Sequence, residues 1–445
     1  MTQAPTTAEP TARRHDREIL ALAVPAFGAL VAEPLFVMAD SAIVGHLGTS
    51  QLAGLGVAAA LLTTAVSVFV FLAYATTAAV SRRVGAGDLQ AAIRQGMDGI
   101  WLALLLGTAV LAAVLVTTPG LISLFGASET ATPYAETYLR ISALGIPAML
   151  VVLAATGVIR GLQDTRTPLY VAIGGFALNG ALNVALVYGA GLGIAGSAWG
   201  TVLAQWAMAG AYLFVVVRGA RRHGASLRPD PAGIRACAQA GVPLLVRTLS
   251  LRAILMIATA VAARLGDADI AAHQILLSLW SLLAFALDAI AIAGQAIIGR
   301  YLGAGDTDGA KAVCRRMLMW GVVSGVVLGL LVVLARPVFI PLFTSDPVVE
   351  DALLPALLVV ALGQPVCGVV FVLDGVLMGA GDGRYLAWAM LLTLAVFAPA
   401  ALLVPALGGG LTALWWAMTL MMLVRMVTLQ LRARSGRWLV AGATR

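Results

Sequence analysis

Apolar residues along this chain come in blocks of roughly twenty, separated by short clusters of Gly, Pro and charge. The blocks lie near 18–44, 52–80, 97–117, 134–159, 168–189, 194–217, 236–262, 270–298, 316–335, 351–377, 385–405 and 410–431. Each is long enough to cross the ~30 Å hydrocarbon core of a bilayer as a helix, which predicts about twelve transmembrane spans. The polar start of the chain, with Arg13, Arg14 and Arg17, leads into a long apolar stretch without a small-residue cleavage site. That stretch reads as the first span, not as a removable signal.

The pattern occurs twice. Val84-Gly85-Ala86-Gly87-Asp88 returns as Leu302-Gly303-Ala304-Gly305-Asp306, an offset of 303 − 85 = 218. The same offset pairs Pro25 with Pro243, Leu47-Gly48 with Leu265-Gly266, and Pro147 with Pro365. It also pairs Gly161, Asp164 and Arg166 with Gly379, Asp382 and Arg384. About 34 of the 150 ungapped positions from 21 to 170 are identical to their mates. Each half holds an even number of spans, so both halves enter the membrane from the same side. The expected fold is an all-α integral membrane protein. Two six-helix bundles, 1–217 and 236–445, are related by a pseudo-two-fold axis along the membrane normal and joined by an Arg-rich linker, 218–235. Such bundles enclose a cleft, and rocking them alternates access to it. With no filter-like segment, a transporter is favoured over a channel.

Composition closes off other classes. Hydrophobic residues make up 61% of the 445, and only 11% are charged; soluble domains carry ~25%. This excludes a soluble enzyme, a nucleic-acid binder and a disordered scaffold. The net charge of +7 reads as topogenic. Most basic residues, among them Arg82, Arg83, Arg160, Arg218, Arg300 and the tail group Arg425, Arg432 and Arg434, fall on one side of the spans. That side is expected to be the cytoplasm, with both termini there and the chain multi-pass in the cell's inner (plasma) membrane. Cys237, Cys314 and Cys367 and the four His are scattered, so no metal site is expected. No phosphate-binding GxxxxGK[ST] loop is present. The driving energy is then an ion gradient or substrate flow, with no bound cofactor.

An ionisable group at mid-bilayer costs roughly 2.5–3.5 kcal/mol on insertion scales and calls for a role. Asp40, in the first span, is the foremost candidate for exchanging a coupling cation. Glu33 lies seven residues earlier, on nearly the same face, with Pro34 between them as a kink point. Asn179 and Asn183, four apart in the fifth span, share a face and offer amide oxygens to Asp40 or to a cation. In the second half, Asp288, Asp374, Arg247 and Arg252 form a second polar cluster, either a structural ion-pair group or a further cation site. Tyr74, Thr77, Gln295 and Met38 are weaker candidates for lining the cleft. Asp88, Asp164, Asp306 and Asp382 read as turn or helix-start residues. No His, Cys or carboxylate constellation stands at catalytic spacing, so an enzyme is not expected.

Glu33-Pro34-Leu35 through Asp40, followed by Val44-Gly45-His46-Leu47-Gly48, resembles the first helix of the MATE (multidrug and toxic compound extrusion) transporters, most closely their DinF-like branch. Ala271-Ala272-His273-Gln274-Ile275, Gly303-Ala304-Gly305-Asp306 and Asp374-Gly375 through Asp382 fit the same family. The resemblance spans nearly the whole chain. It implies a monomeric antiporter in the lipid bilayer that expels small organic, often cationic, compounds in exchange for H+ or Na+. It also implies Asp40 as the cation-sensing carboxylate. Where some relatives carry a second Asp, this chain has Asn183; where another branch uses an acid in the seventh span, this chain has Arg. The superfamily also contains flippases of lipid-linked intermediates, which leaves that reading as the alternative.

Overall fold

A computed structural model describes the backbone of residues 11–124 and 128–444, and their side chains except at 11, 12, 33, 35–42 and 124. Fourteen α-helices follow one another: α1 (Thr11–Gly45), α2 (Thr49–Ser67), α3 (Phe71–Gly85), α4 (Leu89–Leu124), α5 (Thr132–Ala143), α6 (Ile146–Gly161), α7 (Arg166–Val184), α8 (Gly193–Arg222), α9 (Pro231–Leu265), α10 (Asp267–Gly303), α11 (Thr307–Phe343), α12 (Pro347–Gly379), α13 (Gly383–Ala406) and α14 (Leu411–Arg434). A 3-10 turn at Val68–Val70 fuses α2 and α3 into one span, and a π-turn at Ala185–Gly189 extends α7.

Among the described residues ten helical stretches are long and apolar enough to cross a bilayer, and α5 with α6, bent by 48°, make an eleventh. α1, a helix of 35 residues, covers the remaining predicted span, 18–44; at 1.5 Å per residue it reaches about 52 Å. A helix or helix pair therefore stands at each of the twelve blocks read from the hydropathy pattern. α8 runs on to Arg222 and α9 starts at Pro231, capped by Asp230, so the non-helical connection between the halves is 223–230.

The two halves are packed alike. In the first, α6 sits against α3, α4 and α8, while α7 sits against α1 and α8. In the second, α12 takes the place of α6 against α10, α11 and α14, and α13 takes the place of α7 against α9 and α14. Turn chemistry repeats as well. Gly87 and Gly305, mates in the repeat, share φ = 79°, a left-handed conformation that a side chain disfavours. At the next such turn the second half has Gly381 at 72° and the first has Gln163 at 67°. Gln163 Nε2 reaches across to the Ala296 carbonyl at 2.9 Å, a bond that glycine cannot make.

The halves meet at the end of the molecule that carries both termini. There α3 and α10 cross at Gly85 and Gly303. A Cβ on Gly85 would lie 2.0 Å from the Arg300 carbonyl oxygen, and one on Gly303 would lie 1.9 Å from that of Arg82. The start of α1 adds ion pairs to the second half. Glu18 pairs with Arg300, and Asp16 takes two bonds from Arg316 and one from the Trp320 indole at 2.8 Å. The Arg316 hydrogen bonds hold the Asp16 carboxyl down at about 2.

Candidate functional site

Among the described residues two polar clusters lie inside the helical spans, one per lobe. In the first lobe, the spacing of four along α7 stacks Asn179 and Asn183 on one face, as the sequence indicates. Asn183 Nδ2 donates to Asn179 Oδ1 at 2.8 Å, and Asn179 Nδ2 donates to Thr201 Oγ1 on α8 at 3.1 Å. Asn179 is 2% exposed and Asn183 0%. Gly200 makes room for the amide: a Cβ there would stand 2.1 Å from Asn183 Oδ1. α1 packs along α7, and Tyr188, in the π-turn, donates its hydroxyl to the Ile43 carbonyl of α1 at 2.7 Å. This tie holds the backbone of α1 three residues past Asp40. The side chains of Asp40, Glu33 and Met38 lie outside the described residues, and α1 is helical through all three positions and through Pro34.

In the second lobe, Asp374 on α12 is buried between two arginines. Its Oδ2 accepts from Arg247 of α9 at 2.7 Å and also from Arg425 of α14. Two guanidiniums on one carboxylate leave a formal charge of +1 in this triad, and all three groups are less than a tenth exposed. Asp288 on α10 is half-buried, within electrostatic reach of Arg247, Asp374 and Arg160 of the first lobe. Tyr74 of α3 is within reach of the same charges, so these groups gather where the lobes face each other.

Other candidates are placed differently from expectation. Arg252 does not join the cluster. Five residues past Arg247 it points about 140° away, and it is exposed, with no ion pair among the described residues. Thr77 is not a cleft residue. It is 1% exposed and bonds the carbonyls of Ala73 and Gly157, riveting α3 to α6. Its mate Gln295 is equally buried and donates across the lobes to the Tyr74 carbonyl at 2.5 Å. Asp88, Asp164 and Asp306 cap backbone N–H groups as expected of turn residues. Asp382 instead holds Arg432 at 2.7 Å.

The family model described as MatE matches the chain twice, over residues 25–185 and 243–403. The second match is displaced from the first by 243 − 25 = 218 residues, the offset of the internal repeat. The chain belongs to the MatE family.

MatE proteins are transporters, not enzymes, and this chain is a multi-pass membrane protein of that kind. It is 32% identical to Protein DETOXIFICATION 44, chloroplastic, of Arabidopsis thaliana, over 95% of this chain and 83% of that relative. It is 30% identical to the DNA damage-inducible protein F of Escherichia coli, over 96% and 94% of the two chains, which agrees with the DinF-like resemblance. A probable multidrug resistance protein NorM of Thermotoga maritima is 26% identical over 82% and 80%. Among solved structures, a Vibrio cholerae MATE transporter in its bent form superposes with a TM-score of 0.87 at 21% identity, over 97% of this chain and 100% of that one; it attests the fold.

Within this MatE chain, sequence reading missed two arginines. Arg425 counts as part of a basic tail by position, yet α14 carries it inward to Asp374, at 3% exposure. The signal was available: Arg425 lies seven residues before Arg432, within an apolar run. Arg82 counts as topogenic, yet it is buried between the lobes.

Proposed function

We propose that this chain is a secondary antiporter. It exports small organic, often cationic, compounds in exchange for H+ or Na+, by rocking two lobes about a central cleft. The observation that carries this reading is the neutral polar pocket of Asn179, Asn183 and Thr201 in the first lobe, packed against the helix that bears Asp40. Amides and a hydroxyl solvate either protonation state of a nearby carboxylate without fixing it as an ion pair does. Asp40 therefore exchanges a cation during the cycle, and its change of charge moves α1 and releases substrate. No bound cofactor is needed beyond the coupling ion. The protein works as a monomer in the inner (plasma) membrane with both termini cytoplasmic, an orientation supported by the excess of arginine at the end bearing the termini. The likeness to the Thermotoga relative, a probable multidrug resistance protein, supports the substrate class.

A flippase of lipid-linked intermediates is the weaker reading. It requires guanidiniums open to a lipid pyrophosphate, whereas Arg247 and Arg425 are both engaged by Asp374 and buried. Of the two arginines in the 236–262 block, that leaves Arg252 alone exposed.

The test is dye efflux from proteoliposomes driven separately by a pH gradient and by a sodium gradient. Efflux with one of them, lost in Asp40→Asn while the variant stays monodisperse, is the expected result. Unaltered coupled efflux by Asp40→Asn would sink the role given to that residue.

A further inference from the structure

The chain does not stop at α14. It turns at Gly436, with φ = 68°, and runs back under the lobes. Trp438 is 2% exposed and its indole donates to the Ala433 carbonyl at 2.9 Å, while Leu439 packs on the core. The tail then bonds both lobes. Gly442 N–H donates to the Leu302 carbonyl of α10 at 2.9 Å. The Val440 carbonyl accepts from Arg82 Nη2 of α3 at 2.6 Å, and Arg82 Nη1 donates to the Ala380 carbonyl at the end of α12 at 3.1 Å. An N-lobe guanidinium is thus seated on two C-lobe carbonyls, one of them supplied by the tail.

Repeat symmetry shows what the tail adds. Arg300 is the mate of Arg82 (300 − 82 = 218). Arg300 reaches the other way across the interface, to Glu18 of α1. Each arginine crosses to the opposite lobe beside the point where Gly85 and Gly303 let α3 and α10 touch. One finds a carboxylate; the other finds two carbonyls, of which that of Val440 is there because residues 436–442 fold back. Arg82 is 2% exposed. Parting the lobes while the tail stays docked takes Arg82 off both carbonyls, so these two charge-assisted bonds favour the closed end.

We infer that the C-terminal tail is a strap that positions Arg82 and holds the termini-bearing end of the cleft closed, setting the ratio of the two access states. The inference rests on the alternating-access reading above and adds the tail and Arg82 to the moving parts.

Spin labels on Ala86→Cys and Ala304→Cys, exposed mates in the two Gly-Ala-Gly-Asp turns, with Cys237, Cys314 and Cys367 replaced by Ala, report lobe separation there. In the full chain a short distance should dominate. Removal of residues 436–445 should raise the population of a longer distance about three-fold or more. Gly442→Pro, which deletes the N–H bonded to Leu302, and Arg82→Gln should do so as well. Gly442→Pro keeps the strap covalently intact if the truncation proves unstable. An unchanged distance distribution in truncation and Gly442→Pro, with a longer population that responds to pH or sodium, overturns the strap alone. A single distance in every variant and condition overturns the alternating-access reading as well.

Discussion

The two lobes share a scaffold and differ in how they keep polar groups inside a membrane. In the first lobe the interior polarity is neutral: Asn179, Asn183 and Thr201 bond one another in a chain. Their mates at +218 are Phe397, Ala401 and Thr419, and the mate of Asp40 is Ala258. In the second lobe the polarity is ionic: Arg247, Asp374 and Arg425, whose mates at −218 are Ala29, Thr156 and Ala207. Each lobe is thus apolar, or nearly so, where the other is polar. An ion-paired carboxylate is held in one charge state, whereas one facing amides can change state at lower cost. The same helix packing therefore holds a neutral hydrogen-bonded group in one lobe and an ion-paired joint in the other, and on the function proposed above it is the neutral group that lets Asp40 change charge.

The contrast breaks most easily at Asp374. Asp374→Asn takes the bonded carboxylate from two buried guanidiniums and should lower stability by about 3–5 kcal/mol. Asn183→Ala should cost about 1–3 kcal/mol. Unfolding in detergent, followed by thermal melting, would compare them, and an equal loss would erase the distinction between the clusters. Replacing the whole triad with Met at 247, Leu at 374 and Met at 425 should restore stability to within about 1 kcal/mol of the parent. A triple variant as unstable as Asp374→Asn would mean that the charges do more than pair.

Where the lobes behave alike, paired substitutions should match. Gly85→Ala and Gly303→Ala each set a methyl group against the other lobe's backbone and should each cost the closed interface about 1–3 kcal/mol. Cysteine labelling at the termini-bearing end would rise in both. A response from one alone would show that the lobes do not close symmetrically.

The smallest effect concerns pH. Arg316 holds Asp16 at about 2, below its ordinary 3.8. A carboxyl depressed on folding contributes stability above its unfolded value and loses it as pH falls toward the folded one. Melting temperature should therefore drop between about pH 4 and pH 2, with a shallower slope in Asp16→Asn. Identical slopes would mean that the Asp16–Arg316 pair adds nothing to stability.

Membrane spans and the repeat are legible in the chain because the bilayer imposes a length and an apolar composition on each helix, and glycine turns must recur wherever the path recurs. The stacking of Asn179 on Asn183 is equally local, fixed by a spacing of four. Partners are another matter. Arg425 is 51 residues from Asp374 and Arg82 is 358 from Val440; the apolar run around Arg425 hints at burial but names no partner, and nothing beside Arg82 separates a buried guanidinium from a topogenic one. Arg247 and Arg252 look equivalent in sequence, yet helix rotation sends one to Asp374 and the other away from it. Thr77 and Gln295 look like cleft residues because they are polar, yet backbone carbonyls of adjacent helices satisfy both. The sequence by itself determined where the apolar helices lie and that they come as two like halves, since the bilayer enforces the first and recurring glycine, proline and charged positions record the second. Only the tertiary structure decided which charges pair, which face the cleft and which clasp the lobes, because these depend on the distances at which separate helices pack.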